Sequence, residues 1–129
     1  MTTDLKMLAW VAGFTLLLWV PYILARLRIY GLNQTLSYVA DKEPLPAWAE
    51  KAKKAHYNAI ENLVPFAALI LVAHLAGAAN STTATASIVF FWARVAHYIV
   101  YIAAIPYLRT LTFAISWAAT VAIFLQIVI

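Results

Sequence analysis

EKAKKAHYNAIENLVPF, residues 50 to 66, gathers three lysines, two glutamates and a histidine at the head of AALILVAHLAG, residues 67 to 77, a run with no formal charge. Charge crowded at one end of an apolar run marks a helix that starts in water and then enters hydrocarbon. At about 100° per residue, Lys54, Asn58 and Glu61 share one face at i, i+4 and i+7, with Lys51 and Pro65 near that line and His56 turned away. A polar stripe that continues into an apolar helix is costly in lipid. It persists where it is paired or faces a polar cavity.

The rest of the chain fits this start. Of its 129 residues, 65% are hydrophobic and 11% charged, and the mean hydropathy is +0.83, more apolar surface than a soluble domain of this size can bury. Four stretches approach the roughly 20 residues a membrane crossing needs: Leu5 to Ala25, Ile60 to Ala79, Thr83 to Ile105 and Leu111 to Ile129. Continuous rather than alternating runs predict helices, not barrel strands. The expectation is an all-α integral membrane protein, one domain over 1–129. Including the parts outside hydrocarbon, its four transmembrane helices fall at about 5–25, 47–79, 83–105 and 107–129. The first run is too long for a signal peptide and is followed by Arg26 and Arg28 rather than a small-residue cleavage site, so it reads as a retained helix.

Residues 26 to 48 turn polar, with Gly31, Asn33, Asp41, Pro44 and Pro46, and read as the one sizeable loop. Pro46 suits a first helical turn, and Ser81 and Thr82 suit the start of the third helix. Arg26, Arg28, Lys42, Lys51, Lys53, Lys54 and Arg109 fall on the two connections at one end, against Lys6 at the other. Seven against one under the positive-inside rule predicts cytoplasmic connections and both termini on the non-cytoplasmic side. The net charge of +4 is thereby explained by topology rather than by nucleic acid. There is no cysteine, hence no disulfide, protein thiolate or thiolate-based metal site.

A second stripe lies in the third segment, where Arg94, His97 and Tyr101 sit at i, i+3 and i+7. A tight turn near Asn80 and Ser81 would set Glu61 level with about residue 100 and Lys54 with about residue 107. The two stripes then form a cation-rich cleft with one carboxylate, open to the basic end. Pro65 removes the helical partner of the Glu61 carbonyl and predicts a kink there. Several cations, one carboxylate and neutral donors suit an anionic zwitterion: glutathione, a nucleotide or a phospholipid head group. His74 is far in depth from His97, which excludes bis-histidine haem, and no metal is expected.

The run Glu50 to Phe66, then RVAHYIVY at Arg94 to Tyr101 and PYLRT at Pro106 to Thr110, closely resembles the MAPEG family, membrane-associated proteins of eicosanoid and glutathione metabolism. The resemblance covers all four helices. It implies a homotrimer, with glutathione as co-substrate between subunits near the cytoplasmic side, and a bacterial inner-membrane setting. It also implies glutathione-binding roles for Arg26, Lys54, Asn58, Glu61, Arg94, His97 and Tyr101, and a catalytic role for Arg109 beside the thiol with Thr110 donating to the sulfur. The implied activity is a transferase or peroxidase that turns the thiolate on a lipophilic electrophile or hydroperoxide. Two other classes fit the sequence: a small transporter built around Glu61, and a non-catalytic lipid-binding subunit. An Arg94 to Glu61 ion pair serving only to join helices is a further reading of the stripes.

Overall fold

The computed structural model describes all 129 residues. It is all-helical: α1 (Thr3–Leu17), α2 (Val20–Leu36), α3 (Ala47–Leu75), α4 (Ser81–Ile102) and α5 (Leu108–Val128). Helices α1 and α2 together form the first membrane-length segment, and α3, α4 and α5 form the other three.

The break between α1 and α2 sits at Leu18 and Trp19, just before Pro21. Proline has no N–H, so the carbonyl four residues back, on Leu17, has no helical donor, and the ring crowds it. The helix then resumes and continues past Ala25 to Leu36, where the sequence reading places loop. Leu27, Ile29 and Leu32 keep the segment apolar enough to stay helical, and Gly31 absorbs a kink at φ 84°, ψ 166°. The true connection is only Ser37 to Pro46. It is strapped down by the buried Arg26 guanidinium, which donates to the carbonyls of Ala40 and Glu43, and by Tyr30, whose hydroxyl donates to the Pro44 carbonyl.

Helix α3 starts at Ala47, with Pro46 as the extended residue before it, and runs unbroken through Pro65 to Leu75. The expected kink does not interrupt it. The next turn ends at Asn80, whose side chain accepts from the Thr83 N–H (3.0 Å) while the Thr83 hydroxyl accepts from the Asn80 N–H (2.9 Å), a reciprocal cap. Asn80, not Ser81 or Thr82, therefore caps α4. Because α3 stops at Leu75, facing pairs lie in a different register from the one a turn centred on Asn80 and Ser81 gives. Phe66 stacks on Phe90 with centroids 3.9 Å apart, which sets Glu61 level with about Val95.

Phe66 and Phe90 anchor the main core with Val11, Ile70, Ala119 and Ile123. Tyr22, Ala25, Leu45, Ala49 and Ala52 pack as a second cluster under the strapped connection. Only 26 of the 129 residues are buried, so most apolar side chains face outward and need lipid or another chain to cover them.

The polar ends are distinct. Asp4 of α1 accepts a 2.5 Å hydrogen bond from Thr83 of α4, and Asn80 donates to Gln126 of α5 at 2.7 Å. Both termini and the α3 to α4 turn therefore share one end. The Ser37 to Pro46 connection and the α4 to α5 turn share the other, which carries the basic residues.

Candidate functional site

At the basic end, α4 and α5 are joined by Ala103 to Tyr107, a turn with two non-glycine residues in the left-handed region, Ala104 at φ 57° and Tyr107 at φ 68°. Each costs about 1 kcal/mol or more. Their effect is to start α5 abruptly, so that Arg109 and Thr110 occupy its first turn. No side chain caps this helix end. Its unpaired N–H groups carry partial positive charge, and a cation there is unfavourable by the helix dipole. Two local costs thus concentrate positive potential at one point.

That point opens on a cleft of about 290 Å³ lined by Asn58, His97, Tyr101, Arg109, Thr110 and Phe113. Three helices supply it. The Arg109 guanidinium lies 5.0 Å from the centre of the Tyr101 ring, within cation–π range. The ring of His97 meets that of Tyr101 edge to face at 5.5 Å. An adjoining pocket of about 270 Å³ is lined by Lys51, Tyr107, Tyr101, Arg109 and Thr110, so Arg109 and Tyr101 form the partition between the two. The Thr112 hydroxyl is occupied by the carbonyls of Leu108 and Arg109, which leaves Thr110 as the first-turn hydroxyl of α5 that faces the cleft.

Behind the cleft sits Arg94, 3% exposed. Its Nη2 donates to Asn58 Oδ1 at 2.6 Å and lies 3.3 Å from His97 Nδ1, and its Nη1 donates to Ser116 Oγ at 3.4 Å. The Nε is buried with no acceptor. A charged donor to a neutral acceptor contributes about 1.5–3 kcal/mol. Arg94 thereby ties α3, α4 and α5 together at one depth and holds the Asn58 carboxamide and the His97 ring at the cleft wall.

Of the sequence-predicted site residues, the structure brings together Asn58, Arg94, His97, Tyr101, Arg109 and Thr110. Three stand apart within the chain. Glu61 is exposed on the outer face of α3, so the ion pair with Arg94 does not form and Asn58 takes that place. Lys54 is exposed, and Lys51, one turn earlier, is the lysine beside Arg109. Arg26 lies across α3 in a separate pocket of about 380 Å³ with Tyr22, Lys53 and Tyr57. Tyr22 and His56 share a 2.8 Å hydrogen bond on that same side, as the helical phase of His56 predicts. Ser116 is a member that the sequence reading missed. Its spacing of seven from Arg109, on the same face of α5, was the available signal. No three His, Asp or Glu side chains converge as metal ligands.

An all-helical protein with four membrane-length helices and a cationic cleft at one end is thus defined. The family model described as the MAPEG family matches residues 7–129, and the chain belongs to that family. Membership places it, at family level, among membrane proteins of glutathione and eicosanoid metabolism. No curated protein and no solved structure matches the chain.

Proposed function

We propose that this protein is a glutathione-dependent membrane transferase or peroxidase, a homotrimer whose sites face the cytoplasm of a bacterial inner membrane. One observation carries the reading: Arg109 and Thr110 stand in the uncapped first turn of α5, at a cleft walled by Asn58, His97 and Tyr101. A free thiol has a pKa of about 8.5 and is mostly neutral at pH 7. A guanidinium and a helix N-terminus beside the sulfur favour the thiolate, and Thr110 stabilises it by donating a hydrogen bond. Asn58, His97 and Tyr101 supply neutral contacts to the peptide portion, and Arg94 fixes the wall they form.

The residues left outside the single-chain cleft fit an assembly. Glu61 and Lys54 on the open face of α3, and Arg26 on the far side of that helix, complete the site when a neighbouring copy is packed against it. In a trimer each interface then joins two different faces of the chain. The excess of carboxylates on glutathione matches the excess of cations.

The electrophile is lipophilic in this reading. Below the cleft, the same faces of α3 and α5 continue as a groove lined by Asn62, Pro65, Leu69, Trp117, Val121 and Phe124, of about 240 Å³. An apolar molecule dissolved in the bilayer reaches the sulfur along it. The thiolate then displaces a leaving group from carbon, or attacks the outer oxygen of a hydroperoxide, breaking the O–O bond to give the sulfenic acid of glutathione and an alkoxide that takes a proton from water. A second glutathione converts the sulfenic acid to the disulfide and water.

The test is the ultraviolet absorbance of thiolate when glutathione is added to the purified protein. A thiolate signal in the unsubstituted protein, lost in Arg109→Ala with folding and assembly intact, is the expected outcome. No thiolate in a properly assembled protein would overturn the proposal.

A further inference from the structure

We propose that the Tyr101 ring positions Arg109, so that this tyrosine acts on the thiol through the guanidinium as well as by any contact of its own hydroxyl; the inference rests on the glutathione reading above. Arg109 is exposed and lies in the first turn of a helix that repels it. An arginine so placed swings freely unless something holds it, and a swinging cation spends little time beside the sulfur. The Tyr101 ring is that holder, its centre 5.0 Å from the guanidinium carbon.

The ring is itself fixed. It stands in the last turn of α4, only eight positions before Arg109, and its edge contact with His97 limits its rotation. His97, 1% exposed, is in turn within hydrogen-bond distance of Arg94. Order therefore passes from a buried arginine, through two aromatic rings, to an exposed one. The two left-handed residues of the turn bring the ring and the guanidinium to this distance. A guanidinium is planar and weakly hydrated, and stacks on an aromatic face better than an ammonium does. Tyr101 is on this account a positioning residue, and its ring matters separately from its hydroxyl.

Three variants in the assembled protein test the idea by the pKa of bound glutathione, read as thiolate absorbance against pH at saturating glutathione. Tyr101→Leu should raise that pKa by about one unit, a tenfold loss of thiolate below it, as expected for a partly desolvated cation–π contact. Tyr101→Phe keeps the ring and should hold the pKa within about 0.3 units, while binding glutathione more weakly for want of the hydroxyl. In an Arg109→Ala background, Tyr101→Leu should shift the pKa no further. Equal shifts from Tyr101→Leu in both backgrounds, or a shift from Tyr101→Phe as large as that from Tyr101→Leu, would overturn the proposal.

A second readout is independent of glutathione. The rate at which phenylglyoxal modifies Arg109, followed by mass spectrometry of its peptide, should rise in Tyr101→Leu but not in Tyr101→Phe. An absent thiolate signal in the unsubstituted protein with this rate pattern intact removes the glutathione reading and leaves the ring contact standing. An unchanged rate in Tyr101→Leu removes the contact itself.

Discussion

Asn58 shows how one carboxamide can decide the state of a buried charge. It gives Arg94 its shortest hydrogen bond, 2.6 Å, at a depth where no carboxylate reaches. Asn58→Leu keeps the volume and removes the acceptor, leaving Arg94 with Ser116 and His97. The expected cost is about 2–3 kcal/mol, measured as a lower unfolding midpoint in detergent, together with weaker glutathione binding as the His97 wall loosens. An unchanged midpoint would mean that water replaces the carboxamide. The α4 stripe was legible from helical phase, for Arg94, His97 and Tyr101 do lie together, whereas of the α3 stripe only Asn58 reaches the cleft and Lys54 and Glu61 stay exposed. The partners across the helices were not legible. Whether Arg94 meets Glu61 or Asn58 depends on where α3 ends, and the alanine-rich sequence before Asn80 hides that end.

At the level of elements, the first helical segment departs most from the sequence reading. Arg26, Arg28, Asn33 and Gln34 make residues 26 to 36 read as loop, yet the segment is helical: Leu27, Ile29 and Leu32 supply its apolar surface, and Arg26 turns Nη1 inward to the carbonyls of Ala40 and Glu43. Composition cannot report a side chain used in that way. Gly31 carries the resulting kink in a region of φ and ψ that only glycine occupies easily. Gly31→Ala should therefore destabilise by about 1–3 kcal/mol through backbone strain alone, since a Cβ there would meet no other atom within 4 Å. A thermal melt of the variant checks this, and loss of the Arg26 strap should accompany it. Proline behaves in two ways along the chain: Pro21 marks a break, whereas α3 continues through Pro65.

For the whole molecule, the charge asymmetry predicts an orientation that can be read with a single probe, because the chain has no cysteine. Thr82→Cys and Ser37→Cys put one thiol at each end, both exposed. A membrane-impermeant maleimide should label the first in intact cells and the second only after permeabilisation. The opposite pattern would reverse the topology and move the cleft to the outer face. The bond from Thr83 to Asp4 adds something to that arrangement, for its partners are 79 residues apart. When the first crossing is made, Asp4 has no partner, and it acquires one only after the second crossing, α3, returns the chain to the same side and delivers Thr83 there. Were α1 threaded the other way, the carboxylate would lie across the bilayer from that hydroxyl. The contact therefore closes only in chains whose first and third crossings run in the same direction.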